Sequence, residues 1–199
     1  MRSLKLNQNV FMKKVILLGA LFVVTLGASA QKWSVDKSHS NVGFTLTHLM
    51  LSEVDGNFND VDASFTSKKE DFSDAVFSFT AQVTSVDTRI ERRDNHLRSA
   101  DFFEVEKYAT MAFKSTSFKH VGGEKYVMTG NITIKGVIKP ITLDVTLKGP
   151  IVNQRSKKQM VGIKATGTLD RFDFNVGSES GTTVGREITI HANGEFSKE

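Results

Sequence analysis

The side chains of this chain that could move a proton or hold a metal ion are few and scattered. Histidines stand at positions 39, 48, 96, 120 and 191. No two are spaced two apart on a strand or four apart on a helix, as local chelation favours, so no metal ligand set is predicted. Asp36 and His39 are close enough in sequence to pair. Such a pair either sets up general acid-base chemistry or makes a structural hydrogen bond near a strand start, and the structural role is the favoured reading. An exported hydrolase or modifying enzyme using Asp36, His39 or His96 is the alternative. The sequence has no G-x-S-x-G elbow, no H-E-x-x-H, no cysteine nucleophile and no P-loop lysine motif. Gly177 to Gly185 lacks a Gly-Lys-Ser/Thr ending and reads as a loop. No catalytic residue and no cofactor is assigned.

The densest charge lies in Ser85 to Phe103, SVDTRIERRDNHLRSADFF. Arg89, Arg92, Arg93 and Arg98 are offset there by Asp87, Glu91, Asp94 and Asp101, which predicts local ion pairing. An anionic head group could compete for some of these guanidinium groups, because they bind phosphate bidentately. The pattern is helical. Thr88 and Glu91 fit a capping box, Ile90 and Leu97 share a face, and Asp94 and Arg98 form an i,i+4 pair. Ser99 is placed to cap a further turn that presents Phe102 and Phe103. Such an insert is either a cover over something or a solvated connector.

The elements around it alternate with period two, as strands do. Val42, Phe44 and Leu46 share one face, and Phe77, Phe79, Ala81 and Val83 share another. Val54 to Phe65 continues in the same style, interrupted by Asp55-Gly56 and Asn59-Asp60. Met111 to Phe113, Tyr126 to Ile134, Ile141 to Leu147, Val161 to Leu169 and Glu187 to Phe196 complete about eight runs. Gly122-Gly123 and Lys135-Gly136 read as turns, and Gly149-Pro150 as a strand end. Eight strands with hairpin-length links predict a mainly β antiparallel barrel or sandwich.

Residues 1–30 read as a cleaved export leader, and 31–199 as one domain. Arg2, Lys5, Lys13 and Lys14 precede the apolar run Val15 to Gly27, and Ala28-Ser29-Ala30 has the small-x-small form of a cleavage site. The apolar run is shorter than the roughly 20 residues a bilayer span needs. The expected location is periplasmic or secreted. Without those four basic residues, 22 of the 26 Lys and Arg remain against 22 Asp and Glu. A neutral domain is not expected to bind nucleic acid, whatever the whole-chain pI suggests. With no cysteine, stability has to come from packing. Apart from Phe11 and Phe22 in the leader, all of the 15 phenylalanines belong to this domain, and they need burial.

Four ordered motifs resemble the YceI-like polyisoprenoid-binding family. They are Trp33 to Ser40 followed by Val42-Gly43-Phe44; Ser85 to Thr88 with Arg93 to Phe103; Gly130 to Leu143; and Arg171 to Phe174 with Val184 to Ile188. Ala109, Ile138 and Asn175 depart from residues common in the family, namely Pro, Thr and Gly. The resemblance implies a lipocalin-like antiparallel β-barrel of about eight strands with a short helical insert. It also implies an apolar tunnel holding a polyisoprenoid, as in a prenyl quinone or prenyl phosphate, or another long lipid. Phe44, Phe77, Phe79, Phe113, Leu143 and Phe174 are then the candidate wall, with Phe102 and Phe103 at the insert. Arg89, Arg92, His96 and Arg98 are the candidate head-group contacts. Without the resemblance, a filled core is the plainer expectation for inward phenylalanines. A ligand-free stress-response interaction module is a further alternative, and a homodimer is a candidate assembly.

Overall fold

The computed structural model describes residues 30–178 and 183–199. The expected leader, apart from Ala30, and part of the Gly177 to Gly185 loop lie outside the described residues. In chain order the elements are β1 (Gln31–His48), β2 (Ser52–Phe58), β3 (Val61–Ser67), β4 (Val76–Gln82) and β5 (Val86–Asp87). Helix α1 (Glu91–Arg98) follows, then β6 (Thr110–Gly122), β7 (Lys125–Ile134), β8 (Val137–Val152), β9 (Gln159–Asp170) and β10 (Val184–Lys198).

The strands close into an antiparallel barrel of eight staves, in the order β1-β3-β4-β6-β7-β8-β9-β10, with β10 pairing back onto β1. Closure gives each of these eight strands a neighbour on both sides. Two staves are broken at one height. β1 pairs with β3 over Gln31–Ser34 and with β2 over Gly43–His48, so β2 prolongs the stave of β3. β5 prolongs that of β4 and pairs with β2 at Asn57 and Phe58. A 3-10 turn at Val83–Ser85 joins the two breaks: Asn59 N donates to Ser85 O at 3.1 Å, and Asp60 N to Ser85 Oγ at 3.0 Å. The interruption that the sequence shows at Asn59-Asp60 is therefore a joint in the wall, and Asp55-Gly56 stays inside β2.

The predicted Lys135-Gly136 turn is a two-residue hairpin link. Both residues have positive φ, 49° and 75°, as its tight type requires. Gly149-Pro150 does not end a strand as expected. β8 runs on to Val152 and absorbs the pair as a register shift between Lys148 and Ile151, where the missing proline N–H costs the ladder nothing.

The interior has two unlike halves. At the end where β1 begins, Trp33 stacks on Phe65 at 5.5 Å, and Phe72 sits edge-on to both. Phe65 meets Phe77 at 4.8 Å, Phe77 meets Phe118 at 4.9 Å, and Phe118 stacks on Tyr126 at 4.4 Å. Phe72 comes from the 68–75 connection and takes a φ of 57°, a costly conformation for a bulky residue. Asp74 shapes that connection by accepting from Ser67 Oγ, Lys68 N and Lys69 N. This plug is solid. Beyond Phe77 and Phe196 the inward side chains line the wall and leave the axis open.

Stability should follow that division. Phe65→Ala should cost about 3–5 kcal/mol in denaturant unfolding, the usual range for a core phenylalanine. Phe113→Ala, which only widens an existing space, should fall at or below the low end of that range. Equal losses at the two sites would contradict a plugged half and an open half.

Candidate ligand cavity and its cover

The open half encloses a cavity of about 500 Å³. Every stave contributes to its wall, because the inward positions of each strand recur every second residue. Phe77 and Phe196 form the floor, and Phe113, Met128, Leu143 and Ile163 stand around the middle. Small residues at Ala63, Ala165 and Ala192 keep the middle wide. Gly56 is needed for a different reason: a Cβ there would lie 2.2 Å from Cζ of Phe44, so the glycine lets that ring turn flat against β2.

Residues 88–109 cross the end opposite the plug. Thr88 and Asp94, both buried, tether the crossing to β5: the Asp94 carboxylate accepts from Thr88 N at 2.8 Å and from Thr88 Oγ1. Arg93 donates from Nε to Thr88 Oγ1 and from Nη2 to Thr88 O, both at 2.7 Å. Arg98 reaches back from Nε to Thr84 O and from Nη2 to Val86 O, both at 2.8 Å. On the far side, Lys135 Nζ donates to Asn175 O at 3.1 Å and to Ala100 O at 3.5 Å. Asn175 takes a φ of 55°, which asparagine tolerates better than most residues. Leu97, Phe102 and Phe103 point into the cavity, and Phe103 meets Phe58 edge-on at 6.0 Å.

These contacts correct several expectations about the insert. The helix begins at Glu91, and its N-cap residue is Ile90 with no side-chain cap. Thr88 is thus no capping-box residue, because its hydroxyl is committed to Asp94. Asp94 does not pair with Arg98, and the four arginines do not pair with the four acids of the insert. Arg93 and Arg98 instead bond the carbonyls of Thr84, Val86 and Thr88, and Arg89 approaches Asp55 at 4.0 Å. Ile90 is half exposed rather than inward.

All eight residues named as a wall, Phe44, Phe77, Phe79, Phe102, Phe103, Phe113, Leu143 and Phe174, lie on the cavity surface. Of the four candidate head-group residues only His96 does; Arg89 and Arg92 are exposed outside, and Arg98 is committed to carbonyls. Among the lining residues not named from sequence are two that carry charge, Arg93 and Arg171. Arg171 is 5% exposed, and its five N–H groups all reach carbonyls, those of Val176, Ser178, Val184 and Gly185.

Asp36 and His39 meet at 2.9 Å, but neither lines the cavity. They loop out of β1 opposite Glu195 of β10, and the possible ligand atoms of the three lie within 4.8 Å of one another. His96 sits apart on α1, bonded to Asp101 at 3.0 Å. The structure thus brings Asp36 and His39 together and leaves His96 with Asp101.

Comparison with known proteins bears on this geometry. A family model for the YceI-like domain matches residues 33–196. The chain belongs to the YceI-like family. Protein YceI of Salmonella newport is 38% identical over 175 residues, covering 85% of this chain and 91% of that one. A UPF0312 protein of Photorhabdus laumondii is 36% identical over 179 residues, covering 85% and 90%. Among solved structures, the Campylobacter jejuni YceI protein has 32% identity and a TM-score of 0.67, covering 83% of this chain and 96% of its own. A polyisoprenoid binding domain from Saccharophagus degradans shares the fold at a TM-score of 0.64 with 13% identity, covering 84% and 98%.

In this YceI-like barrel the outward Asp36–His39 pair has a measurable signature. Hydrogen bonds, first from the Ser38 hydroxyl and then from His39, hold the Asp36 carboxyl at about 2. The same contact, with Glu195 adding its charge, raises His39 above its ordinary value. The depressed Asp36 contributes stability above its unfolded pKa, and loses it as pH falls through about 2. The raised His39 contributes fully below its unfolded pKa, and that share is lost as pH rises through the elevated one. In NMR titrations, Ser38→Ala should move the Asp36 midpoint upward more than His39→Ala does. Neither change should alter ligand uptake; loss of uptake in His39→Ala would tie the pair to the cavity's function.

Proposed function

We propose that this YceI-like chain is an exported, non-enzymatic binding protein. It holds a long-chain polyisoprenoid, such as a prenyl quinone or prenyl phosphate, or a similar lipid, in the open half of the barrel. The cavity is the observation behind this reading. Its volume of about 500 Å³ falls within the range of small-molecule sites, and its wall is overwhelmingly apolar. An engineered apolar cavity of about 150 Å³ already stays dry and binds benzene. Water is a poor occupant because it needs several polar partners. An apolar chain recovers about 0.8 kcal/mol per buried methylene, less the cost of association.

Two further points support the reading. The Saccharophagus degradans fold relative is itself described as a polyisoprenoid binding domain. The basic and apolar pattern of residues 1–30, with its Ala28-Ser29-Ala30 site, fits a cleaved leader and a periplasmic or secreted product.

Protein expressed with its leader and recovered from a bacterial envelope fraction should begin at Gln31. Its organic extract should contain an isoprenoid or other long lipid in near-stoichiometric amount by mass spectrometry. Ala165→Phe, which adds a ring at mid-cavity, should lower the retained lipid with little loss of melting temperature. Repeated preparations without such a lipid, and without uptake of a prenyl alcohol in vitro, would contradict the proposal.

A further inference from the structure

We propose that the tip of the β1–β2 hairpin, Leu49-Met50-Leu51, docks on the surface of a lipid bilayer by apolar insertion. The docked protein holds its cavity against the membrane from which a lipid is collected. This rests on the lipid-holding role above and adds the surface at which that lipid is exchanged.

The first observation is exposure. Three consecutive large apolar side chains form the link between β1 and β2, and Leu49, Met50 and Leu51 are 51%, 88% and 86% exposed. None of them belongs to the core or to the cavity wall. A single exposed leucine is ordinary, but three in a row on one turn make the kind of patch that marks a contact surface.

The second observation is the backbone beneath these side chains. Leu49 and Met50 both take positive φ, 51° and 57°, and Leu51 N closes the turn by donating to His48 O at 3.0 Å. Turns of this hand are usually filled by Gly, Asn or Asp, which tolerate the left-handed region. Leucine and methionine cost stability there twice, through backbone strain and through apolar surface left in water. The fold gains no core packing in return, so these side chains serve a contact outside the chain.

The third observation is place, and it selects the partner. The tip stands at the end opposite the aromatic plug, among residues that line the cavity. Leu46 and His48 precede it, Val54 follows it, and Leu49 N donates to O of the lining residue Thr183 at 2.9 Å. A tip inserted in lipid therefore sets the covered end of the cavity against the membrane. The exposed charges nearby are of both signs, Glu53 and Asp55 on β2 against Arg89 and Arg92 on the cover. Attachment then depends on the apolar residues and not on anionic lipid. A protein partner fits less well, because three side chains on one turn fall far short of the roughly 800 Å² per partner that a stable interface buries.

The test is flotation of the delipidated protein with dioleoylphosphatidylcholine vesicles, scored beside uptake of farnesol supplied from solution. The wild type should partition onto the vesicles, and added salt should not reduce that. The double variant Leu49→Asn/Met50→Gly suits the turn better and should melt no lower than the wild type. It should lower partitioning by at least about tenfold, the effect of withdrawing one large apolar side chain from lipid, and leave farnesol uptake unchanged. Leu51→Ser, beside the strained pair, should act in the same direction. No wild-type partitioning, an undiminished value in the double variant, or loss at high salt would overturn the docking tip. A wild-type dimer that the double variant abolishes would overturn it too, by assigning the tip to a second copy. Partitioning without farnesol uptake would uphold the tip and contradict the lipid-holding role instead.

Discussion

The aromatic contacts from Trp33 through Phe65, Phe72, Phe77 and Phe118 to Tyr126 are the constraint on which the rest depends. An eight-stave barrel is about wide enough for side chains to fill it or for one ligand to occupy it. This chain fills one half with side chains and leaves the other open. Each ring pair contributes about 0.5–1.5 kcal/mol beyond its area, and together they concentrate the core at one end. That concentration lets Ala63, Ala165 and Ala192 stand where a filled barrel would need bulk. The left-handed backbone at Phe72 belongs to the same economy: local strain is accepted because the ring completes the plug.

Opposite the plug, hydrogen bonds rather than rings organise the structure. The cover is fixed on one side by Thr88, Asp94 and Arg98 reaching the β5 segment, and on the other by Lys135 reaching Ala100 and Asn175. Most of these partners are backbone carbonyls, which gives the cover a defined seat without a large apolar interface. Gly177 closes the seam, since a Cβ there would lie 2.6 Å from Arg171 Nη1 and 2.8 Å from the Phe102 ring. The cover is therefore a built part of the cavity and not a solvated connector.

Much of the fold was legible in the sequence, because period two states which face of each strand points inward. Phe44, Phe77, Phe79, Phe113 and Leu143 of the suggested wall lie on the cavity for that reason. Alternation does not state depth along the barrel axis, so Trp33 and Phe65 in the plug look no different from Phe113 in the open half. The stave break at Asn59-Asp60 showed as an interruption, but its partner at Val83–Ser85 did not. The insert was legible as a helix, while its bonding was not. Spacing suggested acids for the arginines of the insert, whereas Arg98 chose carbonyls that only the folded chain brings near. Arg93 was hidden in the same way, one of four similar cations until the fold turned it toward the cavity.

The central claim is that a long apolar ligand occupies the half of the barrel beyond Phe77 and leaves the aromatic plug untouched. Isotope-filtered NOE measurements on the protein loaded with a prenyl alcohol test it most directly. The account predicts contacts from the ligand methyls to the rings of Phe44, Phe113 and Phe174 and to the methyls of Leu143, with none to Trp33 or Phe72. Contacts confined to the outer surface, or reaching Trp33 and Phe72, would contradict it.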